Sequence, residues 1–155
     1  MTYIKWSLAL VIGAVLIFFG VMKFTGGAHI FPYIEYKATA ANLPLASLFF
    51  PFVNYATGLL EIVAGLLLII PASRVLGAVI SILPFLGAVT FHVSPFLGIV
   101  TPDSYSDPRP IAALSAGGPF TVSDFSSTSS ASLFTIASAM LVLSIINVFI
   151  QRRFR

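Results

Sequence analysis

The sequence predicts an all-α integral membrane protein, a four-helix bundle with both termini inside and two long outward-facing loops. Hydrophobic residues make up 58% of the 155 residues and charged residues 8%, whereas a soluble domain carries about 25% charged residues. Four apolar runs are each long enough to cross a hydrocarbon core of about 30 Å. Polar, proline-bearing segments separate these runs, and the length suits one domain, 1–155.

Several function classes have no support in the residues. The net charge is only +3 and the basic residues are scattered until the C-terminus, so no nucleic-acid-binding surface is expected. The chain has no cysteine, which excludes disulfides and thiolate metal sites. His29 and His92 lack a carboxylate at helical spacing, so no metal site is predicted. No catalytic group is identified, and the residue types favour a protein that is not an enzyme.

The four predicted spans cover about 6–24, 52–70, 75–95 and 131–150. The first is expected to be a retained span, because its apolar run is longer than a signal-peptide core and Lys23 interrupts it before any cleavage site. Pro51 suits the first turn of the second span. Pro84 is expected to kink the third, since a proline removes one helical hydrogen bond.

The outward loops are predicted at about 25–51 and 96–130. The segment LPLASLFF (43–50) is apolar but too short to span, so we expect an interfacial or re-entrant helical turn. The second loop is rich in Pro, Gly and Ser, and it carries the two loop candidates Asp124 and Arg109. Asp124 or a following serine is expected to cap the fourth span.

Charge counting predicts the orientation in the membrane. Positively charged residues concentrate on the cytoplasmic side of membrane proteins. The side that holds both termini carries five of them and the other side carries three, which places both termini in the cytoplasm. The five are Lys5, Arg74, Arg152, Arg153 and Arg155, and the three are Lys23, Lys37 and Arg109.

Glu61 is the strongest functional candidate, because it is the one carboxylate within the apolar run 58–70. An ionisable residue at bilayer depth costs about 2.5–3.5 kcal/mol on insertion scales and faces the bundle interior. Its distance from the end of the run places it about 13 Å from the inner boundary, near the midplane. Two interpretations are open: a proton-titrating or ligand-orienting group, or a hydrogen bond that holds two helices together.

Lys23, Asn54 and His92 are predicted to share a depth near the outer membrane boundary and to form a polar cluster there. The favoured interpretation of Lys23 is a side chain that reaches up to the interface. A pair between Lys23 and Glu61 would have to bridge a depth difference of about 12 Å. His92 is interpreted either as a pH-sensitive partner or, more often for a lone histidine, as a hydrogen-bonded packing residue.

Small residues line one side of the first two spans. Gly13 and Gly20 in the first, and Gly58 and Gly65 in the second, allow another helix to approach closely. That helix could belong to the same chain, to a second copy or to another membrane protein.

The order of several motifs resembles a known family. These motifs are GVMKF (20–24), GLLEIVAGLLLI (58–69), RVLGA (74–78), the VTF and VTP patches around Thr90 and Thr101, and LSAGGPFTVSD (114–124). Together they resemble the DoxX-like group of four-span bacterial proteins, and within it the YkgB/RclC type associated with resistance to reactive chlorine species. The resemblance implies a bacterial inner-membrane location. It places Lys23, Glu61, Arg74 and Asp124 at the family's characteristic polar positions.

The chain departs from that family in its loops. Related proteins tend to be basic where this sequence has Pro119 and Ser123, and this first loop is shorter and a serine-rich insert is present. A quinone is implied only by analogy with some DoxX relatives, and the residues themselves predict no cofactor.

Three functions follow as expectations. The first is a non-enzymatic DoxX/RclC-like protein for oxidant or envelope stress tolerance, either alone or as the partner of a membrane redox complex. The second is a proton-coupled small-molecule carrier or channel that uses Glu61, with Lys23, Asn54 and His92 at its outer mouth. The third is a structural subunit whose glycine faces pack against a larger membrane assembly or a second copy.

Overall fold

The computed structural model describes residues 2–94, 96–106 and 120–153, and its helices form an all-α four-helix bundle. The helices are α1 (Thr2–Thr25), α2 (Ile30–Ala40), α3 (Asn54–Ile69), α4 (Arg74–Ile80), α5 (Ile82–Val93) and α6 (Ser132–Arg153). Within the described residues, four segments are long and apolar enough to cross a membrane: Lys5–Thr25, Ala46–Ile69, Pro71–Val93 and Ser132–Arg153. The chain is therefore a multi-pass membrane protein.

The outer surface of the bundle is built from large apolar side chains. Phe18, Leu59, Leu83 and Phe149 are each more than half exposed on the four spans. Contact of such a surface with water is unfavourable, whereas contact with the hydrocarbon tails of lipids is favourable. The interior holds smaller or branched apolar residues, including Ala9, Ile12, Leu16, Ala64, Leu68 and Ala78.

Glycines bring α1 and α3 into close antiparallel contact. A Cβ atom on Gly20 would lie 2.8 Å from the carbonyl oxygen of Gly58, and one on Gly65 would lie 2.8 Å from that of Gly13. These four glycines therefore face each other within one chain. The small-residue face that suggested a structural subunit is already occupied by the bundle itself.

A short turn joins α3 to α4, and it brings a further glycine into tight contact. Residues Pro71–Ser73 form one turn of 3₁₀-helix. A Cβ atom on Gly77 would lie 2.6 Å from the backbone nitrogen of Leu68, which is closer than real Cβ contacts come. Gly77 thus sets the approach of α4 to α3, a role that the sequence analysis missed.

The third span is interrupted at Ser81, one turn before Pro84. Helix α4 ends at Ile80 and α5 begins at Ile82. Because Pro84 has no backbone N–H and its ring crowds the carbonyl four residues earlier, the break lies on the N-terminal side of the proline. The span ends at Val93, two residues before the predicted end.

The connection predicted as a loop at 25–51 contains helix α2, which the sequence analysis did not identify. A turn of 3₁₀-helix at Ala46–Leu48 corresponds to the helical turn expected within 43–50. It is followed by a π-helical turn, Phe49–Val53, in which Phe50 is extended with φ −133° and ψ 131°. The residue before a proline avoids the helical region, so Phe50 lies outside the regular helix, and α3 begins at Asn54, after the π-helical turn.

The second outward loop is also more ordered than predicted. Strand β1 (Thr101–Pro102) pairs antiparallel with β2 (Ser129–Ser130), and Tyr105 bridges to Phe125. An aromatic cluster then joins this ribbon to α2 and to the π-helical turn. We call α2, the ribbon and this cluster the outer cap; the cluster comprises Phe50, Tyr105, Phe120 and Phe125, with Tyr33 and Tyr36 packed against it.

Of the two caps expected for the fourth span, Asp124 or a following serine, the structure uses a serine. The Asp124 carboxylate accepts hydrogen bonds from the N–H and hydroxyl of Thr121, at 2.7 and 2.9 Å. It therefore completes a capping box around the short turn Val122–Asp124 and not around the fourth span. At the start of α6 the hydroxyl of Ser130 accepts the N–H of Ser132 at 3.3 Å, so a serine after Asp124 fills that place.

Helix α1 begins and helix α6 ends at the same end of the bundle. The side-chain amide of Gln151 donates to the carbonyl of Lys5 at 3.2 Å. Nearby on α1, the ring of Trp6 packs 3.6 Å from the guanidinium carbon of Arg74. We call this the inner end, and we call the opposite end, which carries the outer cap, the outer end.

Candidate functional site

A buried ion pair joins α1 to α3 inside the bundle. The Nζ atom of Lys23 lies 2.6 Å from Oε2 of Glu61, and the two residues are 7% and 8% exposed. Lys23 also lies 5.8 Å from the centre of the Phe31 ring. Each charge thus has its partner within the protein, as a buried charge requires.

The structure contradicts the favoured interpretation of Lys23, because the side chain is buried against Glu61 and does not reach up to the interface. In a helix every side chain leans towards the N-terminus of its own helix. Because α1 and α3 are antiparallel, Lys23 leans inwards and Glu61 leans outwards. A Cβ atom on Gly58 would lie 3.1 Å from the Cβ atom of Lys23, so Lys23 is level with Gly58, one helical turn from Glu61. The backbones of Lys23 and Glu61 thus differ in depth by about 5 Å and not by the predicted gap of about 12 Å, and the two leaning side chains close that distance.

Asn54 supports the pair from the first turn of α3. Its side-chain amide donates to the carbonyl of Lys23 at 3.0 Å, and the residue is 1% exposed. Lys23 lies in the last turn of α1, where carbonyls have no helical partner. Asn54 therefore satisfies the end of α1 and holds the backbone of Lys23 in place.

A cavity of about 230 Å³ opens beside the ion pair, between α1, α2, α3, α5 and α6. Lys23, Glu61, Thr57 and His92 are its polar wall residues, and the rest of the wall is almost entirely apolar. The apolar part includes Phe19, Phe31, Ile34, Phe85, Phe91, Leu133 and Ala137. The site is thus a small, mainly apolar chamber with one ion pair in its wall.

His92 lies on α5, in the cavity wall, and is 3% exposed. Its Nδ1 atom lies 3.0 Å from the carbonyl oxygen of Gly98. Because a carbonyl only accepts, Nδ1 carries a hydrogen, which leaves the lone pair of a neutral imidazole on Nε2. His92 is therefore hydrogen-bonded, as one of the two interpretations expected, and it also borders the chamber.

In the described part of the chain, two hydrogen bonds connect the ribbon of the outer cap to the α1–α2 connection. Nε2 of His29 donates to the carbonyl of Pro102 at 2.6 Å, and the hydroxyl of Tyr105 donates to that of Ala28 at 3.3 Å. Burial lowers the pKa of His29, although the Pro102 carbonyl and the Asp103 carboxylate oppose that shift. His29 is consequently neutral in the folded cap near pH 7.

Glu35 is a second acidic group within the cap. Burial raises the pKa of its carboxyl, opposed by a hydrogen bond from the backbone of Phe50. Its Oε2 atom is buried and makes no hydrogen bond to the described part of the chain. The protonated form is therefore favoured more than in a free glutamate.

The loop candidates do not join this site. Asp124 belongs to the capping box in the outer loop and does not line the cavity. Arg109 lies outside the described residues. Within the described ranges, no group of three or more His, Cys, Asp or Glu side chains could hold a metal ion.

The part of the wall that α2 supplies was not predicted from the sequence. Ile30, Phe31 and Ile34 border the cavity from a segment predicted as a loop. A signal was present, because eleven residues between Pro32 and Pro44 contain neither glycine nor proline, and proline is tolerated in a first helical turn.

Comparison with protein-family models, curated proteins and solved structures finds no significant match to this chain. The resemblance to the DoxX-like group therefore stands on the sequence motifs alone.

Proposed function

We propose that this protein is a proton-coupled carrier for small, largely apolar solutes that bear one acidic group. A single observation carries the proposal: the Lys23–Glu61 ion pair forms part of the wall of an otherwise apolar chamber. A purely structural pair would be enclosed by packed side chains. Here both charges border a space large enough for a guest molecule.

The volume of the chamber sets the size of the solute. An apolar cavity of about 150 Å³ holds benzene, so a chamber of about 230 Å³ suits one ring with a short substituent. Drug-sized ligands occupy roughly 300–1,000 Å³, which exceeds this space. Aromatic walls such as Phe31 and Phe91 favour a flat apolar body.

The charges define the coupling. Among the described residues Lys23 is the cation of the chamber and Glu61 its carboxylate. An entering carboxylate would replace Glu61 as the partner of Lys23, leaving Glu61 buried and unpaired. Since an unpaired buried carboxylate is strongly disfavoured, Glu61 would take up one proton. Solute anion and proton would thus bind together, with no net charge added to the membrane interior.

The test uses benzoate as the probe and the purified full-length protein in detergent. Titration calorimetry in two buffers with different ionisation enthalpies gives the number of protons taken up. We expect benzoate to bind with uptake of about one proton, and benzyl alcohol, which has no charge, to bind at least tenfold more weakly. Equal binding of the two compounds, or benzoate binding without proton uptake, would contradict the proposal.

A cavity-filling variant separates binding in the chamber from non-specific partition. Gly87 borders the chamber, and a Cβ atom there would meet nothing within 4 Å. Gly87→Phe should therefore fill the space without straining the bundle and abolish benzoate binding. The control is Leu86→Phe at the neighbouring lipid-facing position, which should bind as the wild type does.

A second proposal concerns the physiological role, and the observation that favours it is that two residues of the resemblance motifs, Lys23 and Glu61, form one site. We place the protein in a bacterial inner membrane, with its inner end in the cytoplasm, and assign it to tolerance of oxidants such as hypochlorite. Lys5, Arg74, Arg152 and Arg153 at the inner end support that orientation.

Survival under graded hypochlorite tests the role. A deletion strain would be complemented with wild type, Glu61→Gln or Lys23→Met at matched membrane levels. We expect only the wild type to restore survival. Equal rescue by all three would reduce the ion pair to a packing element, and failure of the wild type would remove the stress assignment.

A further inference from the structure

A row of buried polar side chains runs along α6 between the inner end and the chamber. Ser144, Asn147 and Gln151 lie on one helical face, at positions i, i+3 and i+7, and are 0%, 0% and 5% exposed. Burying polar side chains in the core of a membrane bundle costs free energy that apolar side chains at the same positions would not cost.

Two atoms of this row lack a hydrogen-bond partner. Neither Oγ of Ser144 nor Nδ2 of Asn147 makes a hydrogen bond to any described residue. The orientation of the Asn147 side chain is fixed by its other end, because Oδ1 accepts a hydrogen bond from the side-chain amide of Gln151 at 3.0 Å. Gln151 in turn donates to the Lys5 carbonyl at the inner end. The row is thus anchored at its inner end and unsatisfied towards the middle of the bundle.

Buried polar atoms without a protein partner are normally satisfied by ordered water. We propose that Ser144, Asn147 and Gln151 form a water-binding track through which protons from the inner side approach Glu61. The track deepens the proposed carrier function, since a carrier must load and unload its proton on opposite sides of the membrane, and it rests on that function.

A short apolar barrier separates the track from the chamber. Ala137 borders the chamber on the same face of α6, about 10 Å further along the helix than Ser144. Between them lies Met140, which packs with Phe85 in the same core cluster. Of the ionisable side chains buried in the described spans, Glu61, Lys23 and His92 lie beyond this barrier and Arg74 lies at the inner end. Movement of Met140 would join the track to the chamber, and a proton passing through would be held by the Glu61 carboxylate.

The chain offers a clean test because it contains no cysteine. Asn147→Cys and Ser144→Cys each introduce one thiol into the track, and Val142→Cys introduces one on the lipid-facing side of the same helix, where Val142 is 56% exposed. Charged methanethiosulfonate reagents react with thiolates that meet water. In membrane vesicles, we expect the track thiols to react at least tenfold faster than Val142→Cys, and only when the reagent is added on the inner side.

Reaction of the track thiols no faster than the lipid-facing control would overturn the proposal, as would faster reaction from the outer side. Because a cysteine in the track could disturb folding, a second measurement follows the native residue Met140 and needs no introduced thiol. Millisecond radiolysis generates hydroxyl radicals from bound water, so Met140 should be oxidised several-fold faster in wild type than in Asn147→Leu. Equal oxidation would count against the track. Neither readout depends on benzoate, so failure of the track and failure of the carrier are distinguished.

Discussion

Lys23 and Glu61, whose backbones lie at different depths on antiparallel helices, meet at 2.6 Å because each side chain leans towards the other. At this level α1 and α3 are in close contact, since a Cβ atom on Gly58 would lie 3.1 Å from the Cβ atom of Lys23. The chamber therefore lies to one side of the pair, where α2, α5 and α6 complete its wall.

Removing one partner of this pair should destabilise the bundle more than removing both. A lone buried charge costs about 3–5 kcal/mol, whereas a pair replaced by apolar residues is often neutral. We therefore expect Lys23→Met to be strongly destabilised and Lys23→Met/Glu61→Leu to approach wild-type stability, measured by reversible unfolding in mixed micelles. Lys37→Met, which removes a lysine from α2 outside the spans, is the control and should change stability by less than about 0.5 kcal/mol.

Gly77 should be the least replaceable glycine of the four spans. A methyl group there would collide with backbone atoms of Leu67 and Leu68, which cannot rotate away as a side chain can. We expect Gly77→Ala to lower the unfolding free energy by about 1–3 kcal/mol. Gly87→Ala meets open space and should leave stability unchanged or raise it by up to about 1 kcal/mol. Equal effects of the two substitutions would show that α4 packs less closely against α3.

The fluorescence of Trp6, the only tryptophan in the chain, should report on the stacking of Arg74 against its ring. The guanidinium stacks on the indole ring and Nε donates to the carbonyl of Leu68 at 3.0 Å. Arg74→Lys keeps the charge but loses the planar stacking surface, so the Trp6 emission maximum should shift and stability should fall by about 1–2 kcal/mol. Arg152→Ala, an exposed arginine at the same end, should leave the Trp6 emission unchanged.

Acidification should loosen the outer cap through His29. Burial holds the His29 pKa below its ordinary value of about 6.5, so the unfolded cap binds the proton more tightly than the folded cap. The contact therefore contributes fully above about pH 6.5 and weakens as the pH falls below that value. Hydrogen-exchange protection of the Asp103 amide, which donates to the Thr128 carbonyl at 3.1 Å, should fall between pH 7.5 and 5.5.

His29→Gln provides the control for this prediction. Glutamine can donate to the Pro102 carbonyl but does not titrate, so the protection factor of Asp103, corrected for intrinsic exchange, should become independent of pH. A wild-type protection factor that stays constant down to pH 5.5 would mean that the cap does not depend on neutral His29.

The sequence predicts the four spans well, because continuous apolar runs have few alternatives in a chain with 8% charged residues. The start of α3 is less predictable. It follows a π-helical turn, Phe49–Val53, which contains the extended residue Phe50 and which the apolar pattern does not distinguish from the α-helix after it.

The site was only partly predictable, for two physical reasons. Glu61 and Lys23 stand out by their cost in an apolar run, but their contact depends on the register of α1 against α3 and on side-chain direction, which residue counting along each span does not give. Ser144 and Asn147 carry a signal that the analysis did not use, namely their spacing on one helical face. The chamber itself depends on α2, and the proline in the first turn of α2 made this segment look like part of a loop in the sequence.

Helix α2 presents one side to the chamber, through Ile30, Phe31 and Ile34, and another to the aromatic cluster, through Tyr33 and Tyr36. One helix thus forms part of the chamber wall inside the bundle and also supports the aromatic cluster of the outer cap. A displacement of that cap changes the shape of the wall. An antibody fragment that binds the outer cap from the aqueous side would therefore change the shape of the chamber without entering the bilayer.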